Sequence, residues 1–148
     1  MKIMMTFFIF LSTSIGLASE ITLDMLVGTF KISSKNAITE IAQGIIVEYD
    51  VTLLENKNLY MIEKVIQRIE GQQDKLLSRY KCEGSAQMSS VESSVIISSV
   101  DCDEGPKFAQ KIYLDRASNV DLSTMEFTAP VFSTLYKQEV NMFFKKIQ

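Results

Sequence analysis

The side chains of this chain that could take part in chemistry are two cysteines and a large number of serines and carboxylates, and its 148 residues include no histidine. Histidine is the commonest acid–base group in catalysis and the commonest zinc ligand. No serine has the glycine-flanked G-x-S-x-G arrangement of an activated nucleophile. Serine–lysine and paired-carboxylate catalysis stay open, because their partners meet only in the folded chain. The pattern nevertheless favours a protein that is not an enzyme, with no catalytic residues.

An acidic segment, Asp101-Cys102-Asp103-Glu104-Gly105, is similar in composition to a calcium-binding loop. A complete loop of that kind needs a third oxygen ligand before the glycine and a distal glutamate, and the spacing here supplies neither. We therefore predict an acidic turn at the end of a strand, with no metal site and no cofactor.

The two cysteines lie on the two arms of a predicted β-hairpin that covers residues 76–102. If the turn is centred on Glu92, which serines flank, residues whose numbers sum to 184 face each other. That register pairs Cys82 with Cys102 within disulfide reach. It also assigns one buried face to the hairpin, formed by the cysteines together with Tyr80, Ala86, Met88, Ile96 and Val100. We predict one disulfide, Cys82–Cys102.

The amino-terminal residues have the composition of a secretory signal peptide. Lys2 precedes an apolar run from Ile3 to Leu11, and Gly16 and Ala18 are small residues suited to cleavage. The apolar run is about half of the roughly 20 residues that a membrane helix needs. We predict a signal peptide at 1–18 and a single domain at 19–148, without a membrane span after cleavage and exported to the periplasm or the extracellular space. Such compartments are oxidising, which favours the disulfide.

The net charge of −3 is spread along the chain without a basic block. Nucleic acid is therefore not an expected partner.

The rest of the chain is rich in segments in which apolar and polar residues alternate, as in half-buried strands. Strands are predicted over 26–32, 45–54, 59–69, both arms of the hairpin (the first over 75–90), 107–115 and 139–147. A short helix or structured loop is predicted over 33–44, a polar connection over 116–128, and a short helix over 131–137, where Pro130 would occupy the first turn.

The third of these strands could turn either face inward. One face carries Tyr60, Ile62 and Lys64, and the other carries Met61 and Glu63. Either choice brings a charged side chain to the inner side. The charge could lie near a strand end and extend into water, or it could be a polar anchor inside a pocket.

Seven or eight short strands joined mostly by tight turns predict a mainly β fold: an antiparallel up-and-down barrel or a strongly curved sheet, with one or two short helices. In this respect the chain resembles the lipocalin and wider calycin group of small secreted β-barrels. The resemblance rests on Gly28-Thr29-Phe30 at the first strand, a longer connection before the second strand, the meander, and a helix before the last strand. The family has tryptophan where this chain has Phe30. The resemblance implies a barrel whose interior binds a ligand.

Two functions follow as hypotheses: a binding module for a small apolar ligand inside the barrel, or a protein-interaction or inhibitor module that acts through its loops. Small residues on the inner face of the hairpin, such as Gly84, Ala86 and Ser98, would leave room for a ligand. The side chains expected to bind it are Phe30, Tyr49, Tyr60, Tyr80, Met88 and Phe144.

Overall fold

The computed structural model of the protein describes residues 21–34, 44–92 and 94–148. Within these residues the chain forms nine strands and two short 3₁₀ turns, Asp24–Leu26 and Leu114–Arg116. The prediction of a mainly β fold is confirmed. The strands are β1 (Gly28–Ser33), β2 (Ile45–Leu53), β3 (Asn58–Gln67), β4 (Lys75–Met88), β5 (Val95–Cys102), β6 (Lys107–Tyr113), β7 (Ser118–Asp121), β8 (Glu126–Ser133) and β9 (Gln138–Lys146).

Eight of these strands close an antiparallel up-and-down barrel. Strands β1 to β6 are neighbours in chain order, and β8 and β9 complete the circle by pairing with β6 and β1. The extra strand, β7, pairs with the first part of β8, whereas β6 pairs with its last part. Closure of a sheet on itself removes the unpaired edges through which open sheets associate.

The core is the inside of the barrel, filled by the side chains that alternate inward along each strand. On β2 these are Val47, Tyr49 and Val51, which are buried, while the residues between them are partly exposed. Phe127 of β8 and Phe144 of β9 stack in the interior with ring centroids 4.6 Å apart. The alternation in the sequence therefore reports the inner and outer faces of the barrel.

The register predicted for the central hairpin is confirmed. Strands β4 and β5 pair with Cys82 opposite Cys102 and with Ala86 opposite Ser98, and all four side chains are buried. The two cysteines form a disulfide with a sulfur–sulfur distance of 2.03 Å. A structural disulfide is consistent with an oxidising compartment.

The helix predicted over 131–137 is wrong. Val131 and Ser133 are buried residues at the end of β8, and residues 134–137 form the turn into β9. Leu135 and Tyr136, in that turn, pack against the core, so the apolar spacing that resembles a helical face also fits a strand followed by an inward-folded turn. Pro130 lies between the part of β8 that pairs with β7 and the part that pairs with β6, so its missing N–H removes no hydrogen bond to either of them.

The polar connection predicted over 116–128 is partly wrong, because it contains β7 and the start of β8. All four side chains of β7 are exposed, so this strand has no hydrophobic alternation to reveal it. The helix or loop predicted over 33–44 falls almost wholly on residues 35–43, and the signal peptide on residues 1–18; both stretches lie outside the described residues.

Among the residues that the structure describes, no helix is long and apolar enough to cross a membrane.

Candidate interior binding site

A carboxyl group lies in the middle of the barrel interior. Glu63 is at the sixth position of β3, on the face that carries Leu59 and Met61, and only 1% of its surface is exposed. The alternative in which the charge of this strand extends into water is therefore wrong. Lys64, on the opposite face, forms an ion pair with Asp50 on the outside of the barrel, with a nitrogen–oxygen distance of 2.5 Å.

Three further polar side chains surround this carboxyl, and we call the four residues Tyr49, Glu63, Gln110 and Tyr136 the Glu63 cluster. Tyr49 on β2 is directly opposite Glu63 in the sheet. Tyr136, in the turn between β8 and β9, donates a hydrogen bond of 3.2 Å from its hydroxyl to Glu63 Oε1. Gln110 on β6 is buried, and its amide faces the Tyr49 hydroxyl. The cluster thus joins residues that are distant in sequence.

The cluster holds three buried polar atoms without a hydrogen-bond partner among the described residues: Tyr49 Oη, Glu63 Oε2 and Gln110 Nε2. Most buried polar atoms in folded proteins have a partner, and leaving one unpaired costs about 1–3 kcal/mol. The Tyr49 hydroxyl still interacts with both Glu63 and Gln110, so the three atoms belong to one polar site in which they form no hydrogen bond of ordinary geometry.

The ionisation of Glu63 is controlled by its burial. Burial raises the pKa of its carboxyl above the ordinary value, and the hydroxyls of Tyr136 and Tyr49 offset part of that effect. The pKa values of Tyr49 and Tyr136 are raised too, first by burial and then by the nearby Glu63. Both phenols are therefore hydrogen-bond donors at neutral pH. In the part of the chain that the structure describes, no lysine or arginine forms an ion pair with Glu63.

A cavity of about 50 Å³ adjoins the cluster inside the barrel. Leu23 and Leu26, from the segment around the first 3₁₀ turn, form its wall on the side where β1 begins. Gln110 belongs both to the cavity wall and to the Glu63 cluster, so the two are contiguous. The wall is mostly apolar and consists of Leu23, Leu26, Phe30, Ile32, Val51, Leu53, Leu59, Met61, Ala86, Ile96, Ser98, Gln110, Ile112 and Phe144.

The six side chains expected from the sequence to bind a ligand divide into four groups. Phe30 and Phe144 line the cavity, and Tyr49 belongs to the Glu63 cluster. Tyr80 and Met88 are partly buried against the core but do not line the cavity.

The sixth, Tyr60, requires a correction, because its side chain is outside the barrel and 46% exposed. It lines a shallow depression on the outer face together with Thr52 and Glu83, its partners on the neighbouring strands. Because side chains alternate along a strand and Glu63 points inward, Tyr60, three positions earlier, points outward.

Two residues of the Glu63 cluster, Gln110 and Tyr136, were missed by reasoning from the sequence. Gln110 was detectable, since it lies between Phe108 and Ile112 on the inward face of β6. Tyr136 was not, because it reaches Glu63 from a turn 73 positions along the chain.

No group of three or more histidine, cysteine, aspartate or glutamate side chains within the described ranges is placed to hold a metal ion.

Replacing Glu63 with glutamine is expected to change how stability depends on pH. The folded-state pKa of Glu63 is raised above 4.5, the ordinary value, so the folded protein binds this proton more tightly than the unfolded chain. The stability from the protonated carboxyl is fully present below about pH 4.5 and is lost as the pH rises through the folded-state pKa. Glu63→Gln removes this loss, so the variant should exceed the wild type by about 1–3 kcal/mol at pH 7.5 and match it closely at pH 4.

Urea unfolding at several pH values measures the difference in free energy of unfolding between Glu63→Gln and the wild type. The contributions of the other carboxyl groups are common to both proteins and cancel in this difference. Glu83→Gln is the matched control, since Glu83 lies on the neighbouring strand and is exposed. This variant should not gain stability over the wild type at pH 7.5. Parallel curves for the wild type and Glu63→Gln would contradict the role given to burial.

Comparison of the chain with protein-family models, with curated proteins and with solved structures gives no match.

Proposed function

We propose that this protein is a non-enzymatic binding module that holds a small, mainly apolar molecule inside its barrel. The observation that carries the proposal is an apolar cavity inside a closed barrel, contiguous with three buried polar atoms that form no hydrogen bond of ordinary geometry with the described residues. Ligand sites in proteins commonly combine a mostly apolar wall with a few convergent polar groups. A ligand would fill the cavity and supply the missing hydrogen bonds.

The ligand must enlarge the cavity as it binds. A dry cavity that holds benzene has a volume of about 150 Å³, three times the volume here. The flexible thioether of Met61 can change rotamer, and Leu23 and Leu26 belong to a segment outside the sheet. That segment is held to the turn before β3 by an ion pair between Asp24 and Lys57, in which the Asp24 side chain is largely exposed. Access at this end of the barrel disrupts the fewest sheet hydrogen bonds.

Filling the cavity from inside should abolish binding. The Ala86 side chain lines the cavity, and a phenylalanine there would occupy all of it and push against the opposite wall. We expect the wild-type protein to bind the fluorescent probe N-phenyl-1-naphthylamine saturably and Ala86→Phe to lose binding at least about tenfold. Overfilling a core costs about 1–3 kcal/mol, so Ala86→Val, which adds only two methyl groups, should weaken binding while keeping the fold.

The matched control is Gln87→Phe, which places the same ring on the outer, exposed face of the same strand. It should bind the probe as the wild type does. Native mass spectrometry of protein purified from its own host should also show a co-purified small mass. Absence of saturable probe binding, or unchanged binding by Ala86→Phe, would contradict the proposal.

A second function, protein interaction through the loops, is favoured by one observation. Val91, in the turn between β4 and β5, is 90% exposed, so its apolar side chain is accessible to a partner protein. This function becomes the better proposal if the probe does not bind. It predicts that Val91→Ser weakens capture of a partner and leaves probe binding unchanged.

We also propose that the protein is exported and that its architecture is like that of lipocalins. The disulfide and the apolar run from Ile3 to Leu11 support export to the periplasm or the extracellular space by way of a signal peptide. The eight-stranded up-and-down barrel, with Gly28-Thr29-Phe30 directly after a 3₁₀ turn, supports an architecture like that of lipocalins.

A further inference from the structure

We infer that the Glu63 cluster recognises a protonated amine, so that the ligand is a small apolar amine. The inference rests on the proposed function and specifies the chemical class of the molecule in the barrel. Its basis is a buried acidic group with one free oxygen beside an apolar cavity.

The charge balance of the interior favours a cation. The groups that face Glu63 from the packed elements are Tyr49 on β2, Tyr136 in the turn before β9, and Tyr80, its neighbour on β4. None of these three side chains carries a positive charge. Among the described residues no positive group pairs with the carboxyl, and a buried carboxylate without a counter-charge is strongly disfavoured. A ligand cation would supply the missing charge and keep Glu63 ionised.

The hydrogen-bond geometry also suits an ammonium group. Glu63 Oε1 already accepts a hydrogen bond from Tyr136, whereas Oε2 accepts none of ordinary geometry from the described residues. An ammonium group has three donors and no acceptor. It could donate to Glu63 Oε2 and to the lone pairs of the Tyr49 hydroxyl, which forms no hydrogen bond of ordinary geometry within the described part of the chain. Charge-assisted hydrogen bonds of this kind are about twice as strong as neutral ones.

The distance between Glu63 and the cavity suits a ligand with a polar end and an apolar body. Met61 lines the cavity, and Glu63 follows it two positions later on the same face of β3, about 7 Å further along the strand. Ile32, which is opposite Tyr49 in the sheet, lines the cavity too. An amine bound at Glu63 would therefore extend its hydrocarbon part directly into the apolar space.

Other head groups fit the site less well. A carboxylate ligand would bring a second negative charge to Glu63. An alcohol could donate one hydrogen bond but would leave the charge uncompensated. The order expected is therefore amine first, alcohol second and carboxylate last.

The test compares hexylamine, hexan-1-ol and hexanoate, which share an apolar chain and differ in the head group. Binding to the complete, disulfide-bonded protein is measured by isothermal titration calorimetry at pH 7 and by displacement of N-phenyl-1-naphthylamine. We expect hexylamine to bind at least about tenfold more tightly than hexan-1-ol, and hexanoate to bind most weakly. In Glu63→Gln the advantage of the amine over the alcohol should fall below about threefold, with the affinity for hexan-1-ol nearly unchanged.

Glu83→Gln removes a negative charge from the outside of the same part of the barrel and should keep the full preference for the amine. The inference is overturned, with the proposed function intact, if the wild type binds the three compounds equally, if it prefers hexanoate, or if Glu63→Gln keeps the preference for the amine. If none of the compounds binds and the probe does not bind either, the proposed function fails and the inference fails with it.

Discussion

Replacing Cys82 and Cys102 together with alanine is expected to lower the free energy of unfolding by about 3 kcal/mol and the melting temperature by roughly 10 °C. The two cysteines are 20 positions apart, and a disulfide that closes a loop of this length removes conformational freedom chiefly from the unfolded chain. Both cysteines are buried, so the loss of their sulfur atoms also weakens the packing of the interior.

Urea and thermal unfolding with and without a reductant measure this effect. The reductant should bring the wild type most of the way down to the stability of the double variant, because the reduced wild type keeps its sulfur atoms, and should leave the variant unchanged. The matched control is Ser85→Ala with Ser99→Ala, a facing pair on the outer, exposed side of the same hairpin, which should change the stability little. If the denatured, unreduced wild type shows two reactive thiols, the disulfide is not formed in solution.

A side chain at position 84 is expected to destabilise the barrel severely. A Cβ atom on Gly84 would lie 1.9 Å from the backbone carbonyl oxygen of Ser99 on β5, far inside contact distance. Backbone on both sides is held by sheet hydrogen bonds, so neither strand can move without breaking its pairing. We expect Gly84→Ala to cost about 3 kcal/mol, at the upper end of what overfilling usually costs, and Gly84→Val to cost more.

The control for this prediction is Gly71→Ala. Gly71 has a φ of +77°, but a Cβ there would meet no atom of the described residues within 4 Å. Its substitution should cost only about 1–2 kcal/mol, the strain of a left-handed conformation with a side chain. Urea unfolding measures both losses in free energy of unfolding. If Gly84→Ala and Gly71→Ala lose the same amount, the close approach of β4 and β5 is not the reason for glycine at position 84.

Both the barrel and the disulfide could be predicted from the sequence, for the same reason. Side chains of a strand alternate with a period of two, so a one-residue shift would exchange the faces, and a buried face therefore determines the register. In the central hairpin a serine-rich turn set the centre, and the facing of Cys82 and Cys102 followed from it. The strand bounds around residues 28–33, 45–53 and 138–146 were recoverable within two residues from the same alternation.

Gly84 was recognised in the sequence, but its role was not. A glycine inside a strand commonly marks a bulge or a barrel corner, which at position 84 would divide the long first arm of the hairpin into two strands. In the structure β4 runs as one strand from Lys75 to Met88, and the irregular register lies instead between Val65 and Ile66 of β3. What demands glycine is the closeness of another strand's backbone, which no local pattern records.

The candidate site was only partly accessible from the sequence. Each face of β3 carries both apolar and charged side chains, so the local pattern does not show which face points into the barrel. The tertiary structure decides between them by supplying partners: Tyr49 faces Glu63 across the sheet, and Tyr136 donates a hydrogen bond to it. On the other face Lys64 forms an ion pair with Asp50 at the surface.

The sequence by itself determined what depends on local periodicity: strands β1 to β6 and β9, the alternation of inner and outer residues along most of them, the hairpin register and the disulfide. The tertiary structure alone decided which polar groups meet inside the barrel, because burial of a charge depends on donors contributed by distant segments. It also decided that residues 131–133 form a strand and not a helix, since pairing with β6 and β9 outweighs the weak local preference of a short segment.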